Sequence, residues 1–159
     1  MQRHNLNFTL EEEFLLIAIH SNIEAHTLAF LINKFLNISL KRKRHDLDFI
    51  KRDTHITYPI FEYIDTNSET IYYLIANKCK TQTEKVTSAG SLFASETEEK
   101  THYLVPEYKQ TDFLLKVVFD DCVISDQKAL AELSRIPKIS TYYEIDQNKL
   151  KSKQNLNFD

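Results

Sequence analysis

Six consecutive apolar residues, Phe14-Leu15-Leu16-Ile17-Ala18-Ile19, make a run too short for a free-standing helix, and their Phe and Ile content predicts a central strand covered on both faces. Ser21-Asn22-Ile23-Glu24 then has the form of a capping box, with a hydroxyl for an amide three residues on and a carboxylate reaching back, so a helix is expected to start there. Leu28, Leu31, Ile32 and Phe35 follow at helical spacing as far as Asn37, with Asn33 on a polar edge. That stripe belongs against a sheet.

From Ser39 the period changes. The basic run Lys41-Arg42-Lys43-Arg44-His45, and then Leu47, Phe49 and Ile50 among Asp46, Asp48 and Lys51, read as an edge strand and a loop. Ile56, Tyr58, Ile60, Glu62 and Ile64 share one parity, and the turn signal Asp65-Thr66-Asn67-Ser68 leads into Thr70-Ile71-Tyr72-Tyr73-Leu74-Ile75-Ala76, which predicts a hairpin of two aromatic strands. Pro59 has no amide proton and marks an edge or a bulge. Residues 81–101, rich in Thr, Ser, Glu and Lys, are expected to form a flexible loop. His102-Tyr103-Leu104-Val105 resumes apolar character, Pro106 opens a turn, and residues 112–119 predict a second buried strand. Ser125-Asp126 is expected to cap a second helix with Leu130, Leu133 and Ile136 on its inner side and Pro137 beyond its end. Residues 139–145 give a last strand, and residues 147–159 a polar C-terminal tail.

The resulting order, β-α-β-β-β-β-α-β, predicts a single α+β domain: a two-layer sandwich with a mixed, mostly antiparallel sheet of about six strands and both helices on one face. The other face would carry Tyr58, Tyr63, Tyr72 or Tyr73, depending on register, because a slip of one residue exchanges the two faces.

Composition narrows the chemistry. A chain of 159 residues suits one domain, and 20 basic against 23 acidic residues leave a net charge of −3, which disfavours a protein coating bulk nucleic acid but permits a local patch. There is one glycine, Gly90, so the phosphate cradles GxGxxG and GxxxxGK[ST] and the nucleophile elbow GxSxG are excluded. Cys79 and Cys122 lie far apart with no CxxC and no His at metal spacing, so two reduced thiols and no structural metal are expected. Residues 1–13 lack the apolar core of a secretory signal, and no apolar stretch approaches the about 20 residues of a membrane span. The expectation is a cytoplasmic protein without cofactor or membrane partner.

One segment stands out. In Val105-Pro106-Glu107-Tyr108-Lys109-Gln110-Thr111-Asp112-Phe113, Pro106 has the fixed φ of the first position of a short helical turn and biases Val105 toward extended backbone. Glu107 falls where exposed amides favour a carboxylate, and Asp112 falls where the turn hands over to the next strand. Both acids thus have structural roles open to them, alongside partner contact. The chemical alternative makes them an acid and base pair, but five residues of separation in a turn do not make them face each other, and no His lies between them.

This segment resembles the signature of the bacterial IPExxxVDY family. Pro106, Glu107 and Asp112 match it, while Val105 stands for Ile, Thr111 for Val and Phe113 for Tyr, the last losing a hydroxyl. The resemblance extends over the run from Phe14 through the helix to Asn33 and the tail from Leu150 through Lys151-Ser152 to Phe158. It implies a small bacterial cytoplasmic protein of about this length, and no assigned activity.

Three readings of function follow. The first is a non-catalytic module whose aromatic sheet face or edge docks a protein partner, or a second copy of the chain; eight Tyr and ten Phe are enough to fill a core and leave rings for an interface. The second is an RNA-associated accessory protein using Lys41, Arg42, Lys43 and Arg44, with Tyr58 or Phe61 as stacking surfaces; the competing explanation is that these cations guard an edge strand. Lys149, Lys151 and Lys153 would add to that patch if the fold brought them to it. The third is an enzyme using Glu107 and Asp112. His20 and His26 are not at the spacing of a shared helical face, and Glu11, Glu12 and Glu13 have no calcium-loop pattern and would bind a hard cation only if other oxygens converged, so no metal site is expected of either group.

Overall fold

The computed structural model describes residues 14–85, 96–119 and 124–158. Its strands are β1 (Phe14–His20), β2 (Lys41–Arg42), β3 (Leu47–Lys51), β4 (Thr54–Tyr58), β5 (Ile60–Asp65), β6 (Thr70–Ala76), β7 (Lys78–Lys85), β8 (Glu96–Tyr103), β9 (Phe113–Val118) and β10 (Thr141–Glu144). The helices are α1 (Ala25–Leu36) and α2 (Ile124–Leu133), and short 3-10 turns occupy Pro106–Tyr108, Gln147–Lys149 and Lys153–Leu156.

The apolar run at Phe14 is the second strand of a six-stranded sheet of order β10-β1-β9-β6-β5-β2, in which every neighbouring pair is antiparallel. Among the described strands no parallel pair occurs, so the sheet is antiparallel rather than mixed. β9 and β10 flank β1 and run the same way, so α2 carries the chain across one intervening strand; α1 likewise links β1 to the distant, co-directed β2. An antiparallel strand slotted between crossover partners removes every parallel ladder while keeping both helices on one side.

Registry fixes the two faces. Leu15, Ile17 and Ile19 of β1, with Phe113, Leu115 and Val117 of β9, face Leu28, Ala29 and Ile32 of α1 and Leu133 of α2. Phe14, Leu16 and Ala18 point the other way. That second face is covered as well. Ile56 and Tyr58 of β4 and the C-terminal residues Leu150, Leu156 and Phe158 lie on it and are buried. The tail expected to be polar contributes three core residues; its 3-10 turns carry no helical or strand period by which the apolar positions could be grouped. Of the four tyrosines assigned to this face, Tyr73 is on it and Tyr58 reaches it from β4, whereas Tyr63 and Tyr72 pack on the helix side.

Several local features differ from their expected form. Ser21 caps nothing: Glu24 is the N-cap of α1 and makes no side-chain cap bond, while the buried Ser21 hydroxyl donates to the Lys138 carbonyl at 2.7 Å. Ser125 and Asp126 lie inside α2 rather than before it. Asn33 grips the chain beyond α1, its amide group donating to the Leu40 carbonyl and its carbonyl accepting the Leu40 amide. Pro59 sits between β4 and β5, where the chain leaves one sheet for another. Residues 78–85 and 96–103, read largely as loop, pair over eight residues each as a hairpin; the middle of the expected loop, residues 86–95, lies outside the described residues. Their polar composition carries no apolar alternation, so the strand period is hidden.

With so little glycine, the chain places other residues in the left-handed region. Asn37 ends α1 at φ 55°, and Arg52 and Asp53, the centre of the β3–β4 hairpin, have φ of 48° and 63°. Two successive positive φ values match the right-handed strand twist that such two-residue hairpins need.

Candidate functional site

The segment 104–113 is a corner between β8 and β9, and Asn77 builds it. Asn77 separates β6 from β7 and has no solvent exposure. Its side-chain carbonyl accepts the Val105 amide at 2.8 Å, and its amide group donates to the carbonyls of Tyr108 at 2.9 Å and Thr111 at 3.2 Å. Its backbone accepts from the Leu104 amide and donates to the Asp112 carbonyl, each at 2.9 Å. One residue therefore satisfies both ends of the turn opened by Pro106, where Val105 is extended as the proline requires.

The two acids of the motif leave this corner in different directions. Glu107 Oε1 accepts the backbone amides of Lys151 at 2.7 Å and Ser152 at 2.8 Å, and Oε2 accepts the Ser152 hydroxyl at 2.8 Å. Partial burial pushes this carboxyl up, but the Ser152 hydroxyl and the surrounding amides outweigh it and hold the group below its ordinary range. Asp112 Oδ2 accepts the Ser21 amide at 3.0 Å, just beyond β1, and Oδ1 meets Lys78 Nζ at 2.6 Å. Among the described residues no donor bonds to both carboxylates, so the structure does not join them into one constellation.

The remaining motif residues are structural in the same sense. Val105 is wholly buried on the tail side and Phe113 is buried on the helix side. Buried Thr111 shares a hydrogen bond of 3.2 Å with the Tyr143 hydroxyl. Beyond Glu107, the tail is held by Asn155, which donates to the Leu104 carbonyl at 2.8 Å, and by Lys116 and Lys43, which donate to the carbonyls of Leu156 and Phe158. Lys116 is 3% exposed, and its ammonium lies 4.6 Å from the Phe14 ring centre and 5.4 Å from that of Phe158, a cation seated among aromatic faces.

The basic segment is dispersed. Lys41 and Arg42 form the edge strand β2, but Arg42 makes a two-point contact with Asp46, and Lys43 pairs with Glu62 at 3.1 Å besides holding the tail. Lys41 and Arg44 are exposed. The tail cations take separate places, Lys149 beside Asp146 and Lys153 over Phe14. Tyr58, offered as a stacking surface, is buried, and burial first, with Cys79 second, pushes its hydroxyl up to about 12. Phe61 is buried on the helix side. His20 lies against Tyr143, and His26 is exposed. Cys79 is a free thiol; Cys122 and Glu11–Glu13 lie outside the described residues. Among the described residues no three His, Cys, Asp or Glu side chains converge as a metal site, and no helix is long and apolar enough to cross a membrane.

A groove of about 400 Å³ opens between the β3–β4 hairpin and β8. Phe49, Ile56, Tyr58 and Leu104 supply its apolar surface, and Lys51, Lys100 and His102 its basic part; among the described residues no carboxylate lines it. His102 is held below its ordinary value by burial and then by Lys100 and Lys51, and its Nε2 is hydrogen-bonded to the Thr81 hydroxyl at 2.9 Å.

Compared with known proteins, the chain matches no family model, no curated protein and no solved structure.

Asn77, Lys116 and the groove were not reached from the sequence. Lys116 had a visible signal, a single charge inside the run Phe113–Phe119. Asn77 had a weaker one, an amide at the end of an apolar strand. The groove had none, because its two sides come from hairpins distant in the chain.

Proposed function

We propose that this chain is a non-catalytic protein-interaction module, of the small bacterial cytoplasmic kind that its resemblance to the IPExxxVDY family implies. The observation that carries the reading is the use of both motif acids: Glu107 is occupied by three donors from the tail, and Asp112 by the Ser21 amide and Lys78. A carboxylate engaged in holding two chain segments together is poorly placed to exchange protons with a substrate. The groove between the hairpins offers an apolar floor of the size at which recognition pockets begin, about 300 Å³ and above. RNA binding through the basic segment is supported less, because Arg42 and Lys43 already have carboxylate partners.

The test is capture from native lysate on the immobilised full chain, at low and high salt, with bound protein and nucleic acid both identified. A fixed protein partner retained at high salt is the expected result. Nucleic acid that is lost steeply with salt would overturn the reading in favour of RNA. Substituting Glu107→Gln and Asp112→Asn together is expected to lower stability; loss of a turnover activity with stability intact would overturn it in favour of an enzyme.

A further inference from the structure

The strand β8 pairs with β7 on one side, and the direction of its other edge follows from the registry. The Leu104 amide donates to the Asn77 carbonyl, and 77 and 104 continue the same pairing frame as Cys79 with His102 and Thr81 with Lys100. In an antiparallel ladder such pairs alternate, so the even residues of β8 turn their backbone groups toward β7 and the odd ones turn theirs away. The amides and carbonyls of Thr101 and Tyr103 therefore point outward, away from β7, and among the described residues no third strand pairs with β8. Both residues line the groove.

Three features converge at this edge. Outward backbone groups facing no third described strand demand an extended partner. The floor of Phe49, Ile56, Tyr58 and Leu104 accepts an apolar side chain, and beside it Ile50 is 80% exposed. Lys51 and Lys100 have no ion-pair partner among the described residues, and no carboxylate is among the described residues that line the groove, on a chain that is acidic overall. Edge strands left open in this way pair with another strand unless something blunts them.

We infer that the Thr101–Tyr103 edge of β8 is a β-augmentation site for an extended acidic peptide segment, with an aromatic or aliphatic side chain in the groove and carboxylates two residues to either side facing Lys51 and Lys100. The period of two places those three side chains on one face of the added strand. This assignment rests on the interaction-module reading and names its partner class.

The probe is fluorescein-labelled Glu-Thr-Phe-Thr-Glu, compared with Lys-Thr-Phe-Thr-Lys, titrated by anisotropy onto the full chain. The acidic peptide is expected to bind about tenfold more tightly than the basic one, and Lys51→Glu with Lys100→Glu to reverse that order. Thr101→Pro removes an amide that points outward, so it should abolish binding and leave the unfolding midpoint unchanged. On the unaltered protein, the Thr101 and Tyr103 amides should gain exchange protection when the acidic peptide is added, a readout that holds whether or not the proline variant folds. Equal binding of the two peptides, or binding without that protection, would overturn the assignment. If the peptide fails while a protein partner still survives high salt in the lysate capture, the edge assignment alone falls; if the partner is absent too, the module reading falls with it.

Discussion

The two faces of the main sheet are covered by different means. On the helix side, Leu15, Ile17 and Ile19 meet Leu28, Ile32 and Leu133, an aliphatic layer on regular secondary structure. On the tail side, Leu16 and Ala18 meet Leu156 and Phe158, carried by a segment of short turns that is fastened by Glu107, Asn155, Lys116 and Lys43. A helix satisfies its own backbone and needs only an apolar stripe to dock, whereas an irregular segment must find partners for its amides and carbonyls from elsewhere. That need accounts for the polar side chains of the tail face, and it gives the glutamate of the Val105–Phe113 motif its place.

The largest effect is expected at Asn77, which connects the motif corner to the strands beneath it. Asn77→Ala leaves the buried Val105 amide without its acceptor and removes the donors to two carbonyls, and it is expected to cost about 3 kcal/mol or more in urea denaturation. Next come matched truncations of the two layers. Ile32→Ala and Leu156→Ala each remove a buried aliphatic group and should each cost about 2–4 kcal/mol. They should differ in reach. Loss of Ile32 lowers protection across the whole sheet, and loss of Leu156 lowers it first in residues 150–158, as native-state hydrogen exchange would show.

Glu107→Ala is expected to cost about 2 kcal/mol, since it releases two amides and a hydroxyl near the surface. Its pH dependence has a definite sign. The folded carboxyl lies below its ordinary value of 4.5, so the folded state binds fewer protons there than the unfolded chain. The stabilisation is complete above pH 4.5 and is lost as pH falls through the lowered folded value; the Glu107→Gln variant should lack this part of the acid slope when unfolding is followed against pH. The smallest effect is a gain. Arg52→Gly removes the Cβ penalty at φ 48° and should raise stability by about 0.5–1 kcal/mol, with both faces unaffected.

This contrast between the faces also explains what could be read from the chain before its structure. The Phe14–Ile19 run, the Leu28–Phe35 stripe and the turn at Pro106 each carry a period or a local steric rule, and each forms where it is expected; the Tyr-rich hairpin forms from β5 and β6, while residues 56–58, expected in its first strand, pair with β3 instead. Ser21 misleads because a hydroxyl near a helix start suits a cap, while tertiary structure offers it the Lys138 carbonyl. The tail misleads because Leu150, Leu156 and Phe158 are spaced by turns, not by a repeat. Asn77 and the groove depend on contacts between distant segments, such as Asn77 with Val105 and Phe49 with Leu104, and nothing local records them.

Glu107 is the clasp by which the motif corner holds the C-terminal segment on the sheet. Amide hydrogen exchange on Glu107→Ala, followed residue by residue in NMR spectra, tests this role directly. Protection should disappear at Lys151 and Ser152 and fall through Asn155 to Phe158, while the ladder amides of β1 and β9 keep theirs. Unchanged protection at Lys151 and Ser152 would contradict it.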